Sequence, residues 1–236
     1  RRGGARGAPG GGVIELADVG YGYGGRRLFS GLSLALAPGA FHFLTGPSGA
    51  GKTTLLRLLS AELRATEGRV LLWGQDAGMM GRDEVALARR RIGVVPQDCQ
   101  FLDHLSVAEN VLLPLAVAGR RAEGEAHLPE LLAWVGLAGQ AQQRPPELSG
   151  GERQRAALAR AVIAGPEVLL ADEPTGNVDW EMSQRLLQLF VELNRMGTAV
   201  LVATHDMNLI RAAKSQASAR VLRLRGGALQ AAGADL

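Results

Sequence analysis

A chain of 236 residues that is 47% hydrophobic and 21% charged has ordinary globular composition, with enough length to bury a core; it is neither a fibre nor a disordered polymer. Its net charge of +3 equals the contribution of Arg1, Arg2 and Arg6, which leaves the rest formally neutral and argues against a nucleic-acid partner. No apolar run approaches the ~18 residues of a membrane span.

Residues 1–12 are rich in Gly and Arg without apolar periodicity and read as a disordered tail. The single cysteine, Cys99, cannot close an internal disulfide, and no charged-then-apolar leader opens the sequence, so a reducing cytoplasm is expected. Residues 13–16 and 32–36 read as strands of a small antiparallel layer, and Pro38-Gly39 turns the chain into an apolar strand at 41–45. Between the first two strands, Gly20, Gly22 and Gly25 match G-x-G-x-x-G, but a strand follows where a dinucleotide fingerprint needs a helix.

The strand at 41–45 feeds GPSGAGKT and then an apolar-periodic helix. Gly46, Gly49 and Gly51 let the loop turn its N–H groups inward, and the helix beginning near Lys52 aims its positive dipole end at the same point. The pattern is G-x-x-x-x-G-K-[ST], a phosphate cradle in which Lys52 reaches β/γ-phosphates and the Thr53 hydroxyl holds Mg²⁺. Further on, strands at 69–73 and 92–95 flank a helical stretch at 82–91, an alternation that expects a largely parallel sheet covered by helices. Gln97 follows the second of these strands, at the edge where such sheets bind ligands.

From 106 to 146 the character is helical, with helices expected at 107–117 and 128–137, as a subdomain of about residues 98–147 inserted in the core. Ser149 and Glu152 form a capping box for the next helix, and Gly150 and Gly151 leave bare backbone at its N-terminus. The buried strand at 168–171 delivers Asp172 and Glu173: Asp172 suits Mg²⁺, and Glu173 suits polarising an attacking water. A helix is expected at 180–195, a strand at 198–204 ending in His205, and a closing hairpin around Gly226-Gly227, with 231–236 as a short tail.

GPSGAGKT at 46–53, Pro96-Gln97, LSGGERQ at 148–154, VLLADE at 168–173, GNVD at 176–179 and Thr204-His205 together resemble the ATP-binding cassette of ABC ATPases, over about residues 13–230. LSGGERQ discriminates, because kinases, GTPases and RecA-like motors share the cradle without it. The resemblance implies an α/β P-loop NTPase: a RecA-like, mixed and largely parallel sheet, an antiparallel β layer and the inserted helical subdomain. It implies ATP and Mg²⁺ as ligands, with Gly46, Pro47, Ser48, Gly49, Ala50, Gly51, Lys52, Thr53 and Thr54 around the phosphates. Thr53, Gln97 and Asp172 are then the metal-binding set, and Glu173, His205 and Gln97 the catalytic one. Tyr23 or Tyr21 stacks on adenine, with Tyr23 the better fit. Ser149, Gly150, Gly151 and Asp179 reach the nucleotide of a second copy paired head to tail.

Within the family, LTGPSGAGKTTLL at 44–56, residues 101–119 and residues 193–206 are similar to the bacterial cell-division ATPases, with Val178 where Leu is common. That similarity implies an integral membrane partner resembling FtsX and a place on the cytoplasmic face of the inner membrane. An ATPase subunit of a lipoprotein-releasing or other exporter, and a nucleotide-switched scaffold with little turnover, remain as alternatives.

Overall fold

The computed structural model describes residues 12–231, so the expected tails at 1–12 and 231–236 fall almost wholly outside the described residues. Strand β1 (Ile14–Tyr23) and β2 (Arg26–Leu36) form a hairpin whose ladder runs to Tyr23 opposite Arg26. The two short strands expected there are therefore halves of longer ones. The turn explains the difference: Gly24 and Gly25 have φ of 54° and 82°, and positive φ at both central positions is what a two-residue turn between right-twisted strands requires. Gly20 and Gly22 consequently sit within β1, where a Cβ on Gly22 would lie 2.5 Å from the Arg26 carbonyl oxygen.

Strand β3 (Phe41–Thr45) leads through the glycine loop into helix α1 (Lys52–Leu59). Then come β4 (Glu67–Leu72), the short β5 (Gln75–Asp76), α2 (Arg82–Arg89) and β6 (Ile92–Val95). The strand–helix alternation placed β4 in the parallel sheet; instead it pairs antiparallel with β1, in a four-stranded sheet of order β2-β1-β4-β5. Its burial alternates, Val70 and Leu72 inside and Arg69 and Leu71 less covered, so β4 carries one apolar face and cannot be covered on both sides.

Helix α3 (Val107–Val117) starts at a capping box between Ser106 and Glu109, and α4 (Arg121–Trp134) begins seven residues earlier than expected, with Pro129 inside it. Helix α5 (Gly150–Val162) is followed by β7 (Val168–Asp172), α6 (Trp180–Arg195), β8 (Ala199–Ala203) and α7 (Met207–Lys214), the last not foreseen. Strands β9 (Ala219–Arg225) and β10 (Ala228–Ala231) close the described chain. The second sheet has the order β10-β9-β3-β8-β7-β6, parallel throughout except for β10.

Every residue of β3, β7 and β8 is buried, and successive side chains alternate between two cores. Phe43, Leu169, Ala171, Val200 and Val202 join α5 and α6 in one; Leu44, Leu170, Leu201 and Ala203 join α1 and the antiparallel sheet in the other. Helix α1 thus lies between the two sheets. Away from the cradle they are joined by a polar clamp: Glu167 accepts from Trp73 Nε1 at 2.9 Å and from Arg91 Nε and an Arg91 terminal nitrogen at 2.6 and 2.7 Å, while that guanidinium stacks 3.6 Å from the Trp73 ring centroid.

Helix α5 approaches β6 so closely that a Cβ on Gly93 would lie 2.4 Å from the Ala161 carbonyl oxygen, a contact with backbone that no rotamer change relieves. Gly93→Ala is expected to destabilise the fold by ~1–3 kcal/mol, the usual cost of overpacking, read as a lowered urea midpoint with an unchanged m-value.

Candidate functional site

Parallel pairing sets the site. Leu44 pairs with Ala203, Ala203 with Asp172, and Ala171 with Val95, so the carboxyl ends of β3, β8, β7 and β6 form one row. The residues that leave this row are Gly46, His205, Glu173 and Gln97, and they line a cleft of about 780 Å³ together with Tyr23, Lys52, Thr53 and Asp172.

The cradle owes its shape to missing Cβ atoms. Gly49 and Gly51 have φ of 75° and 99°, and Gly51 packs against Phe29 of β2, whose ring a Cβ would meet at 2.7 Å. A Cβ on Gly46 would lie 2.5 Å from the Leu224 carbonyl oxygen. Ala50 N donates to the Pro47 carbonyl at 3.1 Å to tighten the loop, and the Lys52 ammonium donates to the Gly46 carbonyl at 2.9 Å. Ser48 and Thr54 line the cleft, whereas Pro47 and Ala50 shape the loop without facing it. The first N–H groups of α1 have no helical partners and point into this space, so the loop suits a polyphosphate.

Beside the cradle, Thr53 Oγ1 donates to Asp172 Oδ2 at 2.5 Å. Asp172 is 3% exposed, and burial pushes its carboxyl above the ordinary carboxylate range; the Thr53 hydrogen bond opposes this, the nearby Glu173 carboxylate adds to it, and Lys52 opposes it. A buried carboxylate next to a hydroxyl is a hard oxygen pair whose cost a divalent cation would relieve, and its chemistry fits Mg²⁺. Glu173 departs from the strand with φ of 48°, its N–H bonded to the Ala203 carbonyl at 2.8 Å. His205 Nδ1 lies 2.9 Å from Glu173 Oε1; an ionised carboxylate only accepts, so the ring presents Nδ1–H to it.

The two tyrosines separate in space. Tyr23 is half exposed at the cleft, its hydroxyl 3.5 Å from Thr54 Oγ1, whereas Tyr21 packs edge-on against it and against the inter-sheet core. Of the two, Tyr23 lines the cleft and Tyr21 does not. Ser149, Gly150, Gly151 and Asp179 do not line the cleft. Ser149 caps α5 in a reciprocal box with Glu152, and Asp179 caps α6 by accepting from Met182 N at 2.8 Å. Gln154 and Asn177 also line the cleft, and the motifs that contain them, LSGGERQ and GNVD, assign them no role. Its place three positions beyond Gly151, on the same helix face, is the signal by which the sequence could have located Gln154.

The ABC transporter family pattern matches residues 29–176. The chain is 44% identical over 219 residues to the cell division ATP-binding protein FtsE of Escherichia coli, covering 92% of this chain and 97% of that protein. It is 37% identical over 217 residues to the FtsE of Bacillus subtilis, covering 91% and 93%. Among solved structures, a dimeric ATP-binding cassette in a post-hydrolysis state bound to ADP and Pi superposes with a TM-score of 0.81 at 31% identity, covering 92% of this chain and 98% of that one.

The buried Asp172 charge makes a prediction. A raised folded-state pKa means that the folded chain holds the proton more tightly, so the penalty is absent below the ordinary value of 3.8 and complete once pH has passed the raised one. Asp172→Asn is expected to raise the melting temperature of the nucleotide-free protein at pH 7, by ~2–4 °C for each 1 kcal/mol relieved. The gain should disappear in melts near pH 3.

Proposed function

Because the chain belongs to the ABC transporter family of ATP-binding cassettes, we propose that it is the ATP-hydrolysing subunit of a membrane-associated complex in bacterial cell division. It acts as a head-to-tail pair with a second copy of itself, on the cytoplasmic face of the inner membrane, bound to an integral membrane partner resembling FtsX. The observation that carries hydrolysis is the Glu173–His205 contact at 2.9 Å, at the lip of a glycine cradle with Lys52 beside it.

Lys52 and the α1 N-terminus hold the β- and γ-phosphates, Tyr23 stacks on the adenine, and Gln97 reaches towards the γ-phosphate from the end of β6. Thr53, Asp172 and Gln97 would hold Mg²⁺, which supplies charge neutralisation on the phosphate oxygens. Glu173 aligns a water and takes its proton as the oxygen attacks the γ-phosphorus and the bond to the ADP oxygen breaks; His205 holds that carboxylate in place. Ser149, Gly150 and Gly151 of one copy close over the nucleotide in the other, with Asp179 alongside, because in its own chain this helix end lies outside the cleft. ATP is then part of the interface, and its cleavage reopens the pair.

Lys52→Ala is expected to weaken ATP binding ~10- to 100-fold, from the ~1.5–3 kcal/mol of hydrogen bonds to charged groups; calorimetric titration checks it. Glu173→Gln keeps the shape but removes the base, so turnover should fall ~100- to 10,000-fold while an ATP-loaded dimer accumulates in size-exclusion chromatography. Cells carrying it should fail to divide although the protein still docks on its partner, and normal division with a hydrolysis-dead protein would favour a scaffold. Ser149→Arg should abolish the ATP dimer while monomer binding of ATP stays near normal.

A further inference from the structure

Among the described residues, few polar side chains are as deeply placed as Gln154, which is 4% exposed on the second turn of α5. Both ends of its amide are used. Nε2 donates to the Glu173 carbonyl oxygen at 2.5 Å, and Oε1 accepts from Asn177 Nδ2 at 3.1 Å. One turn earlier on the same helix face, Gly151 lies so near the Asn177 carbonyl that a Cβ would approach it to 2.5 Å. Helix α5 therefore grips both ends of the segment 173–177.

Glu173 needs such a grip. It is a non-glycine residue at φ of 48°, a backbone state that costs ~1–3 kcal/mol and persists only where its surroundings over-determine it. Its N–H is held by the Ala203 carbonyl from β8, and its own carbonyl is held by Gly176 N at 3.1 Å and by Gln154. The Gly176 contact belongs to the turn itself and moves with it, so Gln154 is the one of these two partners that fixes the Glu173 carbonyl to another element. With both peptide ends fixed, the carboxylate is delivered to His205 Nδ1.

We propose that Gln154 is a positioning residue for hydrolysis: it holds the Glu173 backbone in its left-handed state and makes the N-terminal turn of α5 and the Glu173 carboxylate of the same chain move as one body. The proposal rests on Glu173 being the base. It adds that a contact made at Ser149–Gly151 by the nucleotide of the paired copy is felt, through one amide, at this chain's own reaction centre.

Two variants separate the amide's roles. Gln154→Glu keeps the length and the oxygen facing Asn177 but puts an acceptor against the Glu173 carbonyl, and Gln154→Met removes both hydrogen bonds. In steady-state ATP hydrolysis by the full chain, both should lower kcat ~10- to 100-fold, since a misplacement of ~1 Å can cost ~100-fold, with KM for ATP within about twofold of the parent. On a Glu173→Gln background, Gln154→Met should cause no further loss in single-turnover hydrolysis, because the group it positions is already gone. Multiplying losses, a KM that rises in step with the fall in kcat, or a normal kcat in both variants would overturn the proposal. Should Gln154→Met fail to fold, Asn177→Ala frees the amide without emptying its site and must still lower kcat at unchanged KM. A normal rate in Glu173→Gln alone would remove the base assignment and this proposal with it; a dead Glu173→Gln beside normal Gln154 variants removes this proposal only.

Discussion

The site depends on the parallel register of four strands. Because β3, β8, β7 and β6 run in the same direction with Leu44, Ala203, Asp172 and Val95 at their ends, a lysine loop, a histidine, two carboxylates and a glutamine meet, although they are drawn from more than 150 residues of chain. The crossovers are what this arrangement requires, since parallel neighbours must be joined over the faces of the sheet by helices. Helices on one face, and α1 with the antiparallel sheet on the other, cover the sheet, which is why β7 and β8 are buried along their whole length.

That edge holds charges in tension. Burial pushes the Asp172 carboxyl above the ordinary carboxylate range, and the Thr53 hydroxyl and the Lys52 ammonium act against that shift. The folded chain thus keeps a carboxylate where burial disfavours its charge, which is the setting in which the proposed cation would be held. Glu173 shows the same trade in the backbone, where a left-handed residue is tolerated at the position proposed for the base.

Much of this was legible in the sequence, for identifiable reasons. The cradle, the Asp172-Glu173 pair and the capping box at Ser149 are local patterns whose physics is complete within ten residues, and the buried strands announce themselves by being apolar on both faces. The misreadings came from tertiary choices. Strand β4 is locally compatible with either sheet, and only its partner β1 decides. Helix α4 starts at Arg121 through a polar stretch whose exposed face carries ion pairs such as Arg121 with Glu125, so apolar periodicity caught only its second half. Tyr21 and Tyr23 are indistinguishable by local pattern, and only the fold shows that Tyr23 lines the cleft while Tyr21 packs towards the inter-sheet core. Gln154 was the hardest to see, because its partners are one backbone carbonyl and one side chain from a segment nineteen and more residues away.

The contact of Gly51 with Phe29 has a genetic corollary. Phe29 is fully buried in the core between the two sheets, and its ring is the wall against which the cradle is seated. Because Phe29 sits on β2, a change that displaces the hairpin β1–β2 displaces the wall of the cradle as well. Conditional alleles mapping to this hairpin would therefore present as nucleotide-binding defects that worsen on warming, and second-site suppressors should arise in the facing core around Leu55 and Leu224 rather than in the loop itself.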